Sequence, residues 1–133
     1  MNTYLFLGGL LSFLSAILHL LIIYFGTKWY EFFGAGKKIV QWSKEGSVYP
    51  ALITFAIATV MFIWALYAFS GAGLIKELPI LKEVLWLITS IYILRGLGLI
   101  PLYIFRPQKV NLFMILSSAV SFIFGLVHLI GIV

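Results

Sequence analysis

The sequence lacks cysteine and aspartate altogether, and its only acidic residues are four glutamates. Without cysteine, the chain can form no disulfide, no thiolate nucleophile and no cysteine-ligated metal site. Charged residues make up 10% of the 133 residues, whereas about a quarter is usual in a soluble domain. Because so few polar side chains are available to cover a surface, the composition excludes an ordinary water-soluble globule.

Most of the chain consists of four long apolar runs, at about 4–25, 49–69, 84–105 and 112–133. Each is long enough to cross a hydrocarbon core about 30 Å thick at 1.5 Å per residue. The first run has no Lys or Arg before Lys28 and exceeds the apolar region of a signal peptide, so we interpret it as a retained span. The sequence predicts one all-α transmembrane domain over residues 1–133, a four-helix membrane bundle with a short amphipathic interfacial segment in its first loop.

The basic residues between the spans predict the orientation of this bundle. The second loop has two, Lys76 and Lys82, and the termini have none. The first and third loops together have six: Lys28, Lys37, Lys38, Lys44, Arg106 and Lys109. The positive-inside rule therefore places these two loops in the cytoplasm and both termini outside it. Because the basic residues flank spans, the net charge of +5 predicts contact with anionic lipid and not with nucleic acid.

Residues 26–47 form the only long loop, and they read as two short amphipathic stretches separated by residues 34–36. Aromatic residues share one helical face of the first stretch and Ile39 with Trp42 share one face of the second, while mostly charged residues occupy the opposite faces. We predict that both stretches lie in the membrane interface with their lysines toward lipid phosphates. The lipid-contacting residues of this prediction are Trp29, Lys37, Lys38, Trp42 and Lys44. A solvated linker that carries aromatic interface residues is the alternative.

Small residues recur four apart on the first and fourth spans, and each stripe ends in a histidine. The stripes are Gly8, Ser12 and Ala16 with His19, and Ser117, Ser121 and Gly125 with His128. Because small residues let membrane helices approach closely, we predict that both faces point into the bundle. Each histidine then faces protein, where a backbone carbonyl can satisfy it. A ligand-binding or proton-transfer role for either ring is the alternative.

Two histidines in four apolar helices raise the question of haem b, which would need both rings at one membrane depth. His19 lies about 22 Å along the first span and His128 about 24 Å along an antiparallel one, so their depths differ by roughly 15 Å. We therefore predict no haem, no metal site and no cofactor.

Arg95 is the one charged residue within a predicted span, about halfway along the third. A charge at that depth costs at least about 2.5–3.5 kcal/mol and rarely faces lipid. We predict that Arg95 points into the bundle, where a polar pocket with His19, Tyr92, Ser12, the loop residue Glu31 or a bound anion compensates it. The alternatives are that Arg95 snorkels to the cytoplasmic interface or only ties helices together.

The residues after Arg95 predict a kink in the third span. Pro101 has no N–H for the Leu97 carbonyl, and Gly96 and Gly98 weaken the same turns. We expect this kink, with its free carbonyl, to lie toward the cytoplasmic side of the membrane.

Three strings carry a family resemblance, namely WYEFFGAG at 29–36, YAFSGAGLI at 67–75 and LRGL at 94–97. They resemble strings of small bacterial four-span inner-membrane proteins, and the similarity covers most of the chain. The resemblance implies the four-span topology and a bacterial inner membrane as location, and it brings no activity with it.

Three functions remain open, and no catalytic residues are predicted because the chain has no nucleophile with its base, no paired carboxylates and no phosphate loop. The favoured function is binding, and by extension transport, of an amphiphilic or anionic small molecule or lipid near Arg95. The second is a structural or accessory protein that docks on a partner membrane protein or a second copy. The third is a membrane enzyme with His19 as acid or base and Arg95 holding an oxyanion.

Overall fold

The computed structural model describes residues 2–33, 37–109 and 112–133, without the side chains of Lys109 and Phe113. The described chain is all-helical, with 86% of residues in helices and no strand. A short 3₁₀ turn, Pro107–Lys109, precedes the last helix. The helices are α1 (Thr3–Phe25), α2 (Thr27–Phe32), α3 (Lys37–Lys44), α4 (Tyr49–Ala72), α5 (Leu81–Leu97), α6 (Leu99–Phe105) and α7 (Leu112–Ile132). Residues 34–36, which the sequence places between two amphipathic stretches, lie outside the described residues.

Among the described residues, four helical segments are long and apolar enough to cross a membrane, which agrees with the predicted number. They are Thr3–Phe25, Tyr49–Ala72, Leu81–Phe105 and Met114–Ile132. The third begins at Leu81, three residues earlier than predicted. The predicted span started after the charged residues Lys82 and Glu83, but both lie in the first turn of α5. An acidic residue is favourable there, since the N-terminal end of a helix is partially positive.

The described chain divides into two compact units. The first unit contains Met1–Leu11 and Trp64–Val133, and the second contains Ser12–Ile63. Helices α1 and α4 therefore contribute residues to both units, whereas α5, α6 and α7 belong to the first and α2 and α3 to the second.

Helices α5 and α7 of the first unit pack antiparallel at unusually close range, through glycine. A Cβ on Gly96 would lie 2.6 Å from the Phe122 Cβ and 2.9 Å from its backbone nitrogen. A Cβ on Gly125 would similarly meet Ile93. The Ser121 hydroxyl donates to the Tyr92 carbonyl at 2.9 Å across the same contact. Small residues thus bring the two backbones together, as they do in membrane helix pairs.

Asn2 joins three helix ends of the first unit. Its backbone N–H donates to the Ala72 carbonyl at 3.2 Å, and its side-chain amide donates to the Gly131 carbonyl at 2.6 Å. Its side-chain oxygen accepts from the Leu5 N–H at 3.1 Å, which caps α1. One residue thereby ties the start of α1 to the ends of α4 and α7.

The predicted kink after Arg95 coincides with an interruption of the helix. The helix is interrupted at Gly98, where α5 ends and α6 begins. The Gly98 N–H still bonds to the Leu94 carbonyl at 2.8 Å. Three residues later Pro101 has no N–H to donate to Leu97, so the backbone bonding of the helix is weakest at this joint.

The first loop forms two short helices in the second unit, as predicted. Helix α2 is fixed to α4 by the buried Tyr30, whose hydroxyl lies 3.2 Å from the Thr54 hydroxyl. Helix α3 is joined to α2 by a 2.6 Å hydrogen bond between the hydroxyls of Thr27 and Ser43. The described part of the loop therefore consists of two helices joined to each other, with α2 also joined to α4.

Candidate functional site

Arg95 does not point into the protein interior, so the prediction of an inward-facing guanidinium is wrong. The side chain is exposed, and its Nη2 donates to the Ser117 hydroxyl at 3.1 Å. The physical reason is the tight contact beside it: with Gly96 pressed against Phe122, the α5–α7 seam has no room for a guanidinium. Arg95 instead crosses from α5 to α7 on the outside of that seam.

The guanidinium extends toward the end of the helices at which α6 stops and α7 starts. Gly96 lies opposite Phe122, and Ser117 precedes Phe122 by five residues, or roughly 7 Å of helix. Ser117 is also only roughly 7 Å from Leu112, the first residue of α7. The long side chain therefore moves its charge out of the middle of the apolar helices and toward their nearer end, as snorkelling arginines do.

An open groove of about 270 Å³ lies between α6 and α7. It adjoins the close Gly96–Phe122 contact, since Gly96 is one of its lining residues. Only Tyr103 and Ser118 give it polar side-chain atoms. Its lining consists of Gly96, Leu99, Ile100, Tyr103, Ile115, Ser118 and Ala119.

Arg95 and Ser117 are each adjacent in sequence to a residue that lines this groove. Arg95 directly precedes the lining residue Gly96, and its partner Ser117 directly precedes the lining residue Ser118. The first unit thus combines a cationic group, a hydroxyl and an apolar channel along neighbouring residues of two helices. Such an arrangement can hold a molecule with one anionic end and one hydrocarbon chain.

The other residues predicted to share a pocket with Arg95 have their own surroundings. The Tyr92 ring is buried in an aromatic cluster, with its centre 5.4 Å from Phe124 and 5.1 Å from Trp64. Glu31 forms an ion pair with Lys44 at 3.3 Å. Ser12 and His19, like Glu31, belong to the second unit, where Ser12 is fully buried. Their participation in a site with Arg95 stays a prediction.

Both histidines bond to a backbone carbonyl, as predicted. His19 Nδ1 lies 2.7 Å from the Ser15 carbonyl, and His128 Nδ1 lies 2.7 Å from the Phe124 carbonyl. Because a carbonyl only accepts, Nδ1 carries the proton in each ring. His128 is completely buried, and its Nε2 has no hydrogen-bond partner among the described residues.

The small-residue stripes face protein, which confirms that prediction. Gly8, Ser12 and Ala16 are buried on α1, and so are Ser121 and Gly125 on α7. His19 and Ser117, at the ends of the two stripes, are half-buried. The close approach is clearest at Gly8, where a Cβ would lie 2.8–3.0 Å from three atoms of the His128 ring.

The residues predicted to contact lipid lie on the surface of the second unit. Lys37, Lys38 and Lys44 are exposed, and Lys38 Nζ lies 4.9 Å from the centre of the Trp42 ring. The half-buried Trp29 stacks on Phe25 with 4.5 Å between ring centres. The lysines are therefore exposed where headgroups could meet them, although Lys44 also pairs with Glu31, and Trp42 lies beside Lys38.

The fold and the composition define an all-helical chain with four candidate membrane-spanning helices, which indicates a multi-pass membrane protein. Among the described residues, no group of three or more His, Asp or Glu side chains is placed to hold a metal ion. Comparison with protein-family models, with curated proteins and with solved structures found no match.

Proposed function

We propose that this protein binds an anionic amphiphile at the outer edge of the α5–α7 seam, with the negative group at Arg95. A single observation carries the proposal: the exposed guanidinium of Arg95 bonds to the neutral hydroxyl of Ser117, and each of these residues directly precedes a residue that lines an open apolar groove. This keeps the binding function expected near Arg95 and changes its location, from a pocket inside the protein to a site on its surface.

The chemistry of the guanidinium supports an anion as the missing partner. A guanidinium has five N–H donors, and Ser117 occupies one of them among the described residues. In surroundings of low dielectric constant the remaining donors gain most from a carboxylate or phosphate, which can accept two parallel hydrogen bonds. An anion at this position would also neutralise a charge that hydrocarbon otherwise disfavours.

The cellular setting is part of the same proposal. We propose a bacterial inner membrane, with both termini on the extracytoplasmic side and with α2 and α3 resting on the cytoplasmic leaflet through Lys37, Lys38 and Lys44. The exposed lysines and the supporting tryptophans of α2 and α3 favour this placement. The groove beside Arg95 then opens in the cytoplasmic half of the bilayer.

The test is the lipid that remains bound to the purified protein, measured by native mass spectrometry in mixed anionic and neutral lipid. Arg95→Gln should reduce the ratio of bound anionic to neutral amphiphile about tenfold, since a charged hydrogen bond contributes about 1.5–3 kcal/mol. Arg106→Gln is the matched control, because Arg106 is an exposed arginine at the end of α6. An equal ratio in wild type and Arg95→Gln would contradict the proposal.

A further inference from the structure

We infer that the amphiphile is a single-chain carboxylate, of the fatty-acid type, whose hydrocarbon chain lies in the groove between α6 and α7. The inference rests on the proposed function and adds the chemical class of the ligand and the place where its hydrocarbon chain binds. Three features of the first unit carry it: the size and lining of the groove, the position of the Arg95 guanidinium along the helices and the exposure of α6.

The size and lining of the groove suit one hydrocarbon chain. Its volume of about 270 Å³ is slightly below the roughly 300–1,000 Å³ of pockets that enclose a whole small molecule. The walls are apolar apart from the Tyr103 and Ser118 hydroxyls, and no charged side chain lines them. A groove of this size and polarity holds one apolar segment, while the rest of a larger lipid would remain outside it.

The position of the guanidinium favours a carboxylate over a phosphodiester headgroup. Arg95 reaches the level of Ser117, which is inside the apolar part of α7 and roughly 7 Å from its first residue. A carboxylate is small and carries no glycerol or hydrated headgroup, so it can descend to that level with less loss of hydration. It also matches the planar pair of donors that arginine presents.

The exposure of α6 makes the groove accessible from the side. No residue of α6 is buried, and Ile100 and Tyr103, which line the groove, are 55% and 60% exposed. Because α6 is the last part of a candidate span, these residues would face acyl chains in a membrane. The ligand would therefore enter laterally from the bilayer and not through an aqueous opening.

The experiment uses two spin-labelled probes, stearic acid with a nitroxide near its methyl end and the methyl ester of the same molecule. Electron paramagnetic resonance measures the immobilised fraction of each probe on the protein in detergent. Ser118→Phe places a ring in the groove and tests whether the hydrocarbon chain binds there. Ser90→Phe is the matched control, because Ser90 is an exposed serine of the same α5–α7 pair and does not line the groove.

Wild type should immobilise both probes, the acid more strongly than the ester. Ser118→Phe should reduce the affinity for both about tenfold, because the chain loses its buried apolar contact. Ala119→Phe, at a second lining residue, should do the same, so the result does not depend on one variant folding well. Ser90→Phe should bind both probes as wild type does.

Two results would overturn the inference. One is a Ser118→Phe or Ala119→Phe protein that folds, judged by circular dichroism, and immobilises both probes as Ser90→Phe does. The other is a spin-labelled phosphatidylglycerol that binds wild type as tightly as the acid does. Failure of the proposed function looks different: Arg95→Gln would leave the preference for acid over ester unchanged, while Ser118→Phe still removed both probes.

Discussion

At the scale of single residues, polar side chains in the apolar helices mostly bond to their own helix. Thr54, Thr89 and Ser90 donate to the carbonyl four residues earlier, at 2.7–2.8 Å, and both histidine rings follow the same pattern. Such bonds use the hydroxyl proton or the Nδ1 proton within the same helix. Arg95 differs, because its partner is on another helix and is neutral.

Asn2 is the residue whose loss we expect to destabilise the first unit most directly. Asn2→Ala removes the cap of α1 and leaves the Gly131 carbonyl without its donor, so the free energy of unfolding should fall by about 1–3 kcal/mol. Titration with a denaturing detergent, followed by circular dichroism, measures this. Asn2→Asp keeps the capping oxygen and should lose less. A stability of Asn2→Ala equal to wild type would contradict the three-way role of Asn2.

At the scale of helices, the sequence predicted some features well for identifiable reasons. The spans follow from composition and length, and the break at Gly98 follows from Pro101 and its neighbouring glycines. The orientation of Arg95 could not be predicted, because it depends on the register between α5 and α7, and that register is set by a backbone contact at Gly96. Ser117 was recognised as part of a stripe and not as a partner of Arg95.

Two glycines near this joint should differ sharply when replaced by alanine. At Gly96 a Cβ would lie 2.6 Å from the Phe122 Cβ, so Gly96→Ala should force α5 and α7 apart and cost about 1–3 kcal/mol of stability. Gly98 has helical φ and ψ of −61° and −19°, and the nearest atom to its Cβ would be the Leu94 carbonyl oxygen at 3.2 Å. Gly98→Ala should therefore cost much less. Detergent unfolding of both variants measures the difference, and equal losses would contradict the packing described for Gly96.

At the scale of the whole molecule, the proposed topology follows from the uneven distribution of basic residues. One structural feature agrees with placing both termini on the same side and could not be predicted from the sequence. Asn2 links the start of α1 to the end of α7, so both lie at one end of the first unit. Asparagine before an apolar helix is a recognisable capping signal, but its bonds to Ala72 and Gly131 depend on contacts far apart in the sequence. Local sequence patterns therefore predict the cap and not the link.

Single-cysteine variants can test the topology cleanly, because the chain has no cysteine of its own. Ser47→Cys and Gln108→Cys should be protected from a membrane-impermeant maleimide added to intact cells, whereas Lys76→Cys should react. The reason is the excess of Lys and Arg in the first and third loops. Reaction at position 47 or 108, with protection at position 76, would reverse the orientation.

The central claim is that an anionic chain binds beside Arg95, and its most direct test is photoaffinity labelling. A fatty acid with a diazirine in its chain is cross-linked to the membrane-embedded protein, and the labelled residues are mapped by mass spectrometry. We expect labels to concentrate on Leu99, Ile100, Tyr103, Ile115, Ser118 and Ala119, to disappear with excess stearate and to decrease in Arg95→Gln. Labels spread evenly over the exposed faces of all four candidate spans, unchanged by stearate and by Arg95→Gln, would contradict the claim.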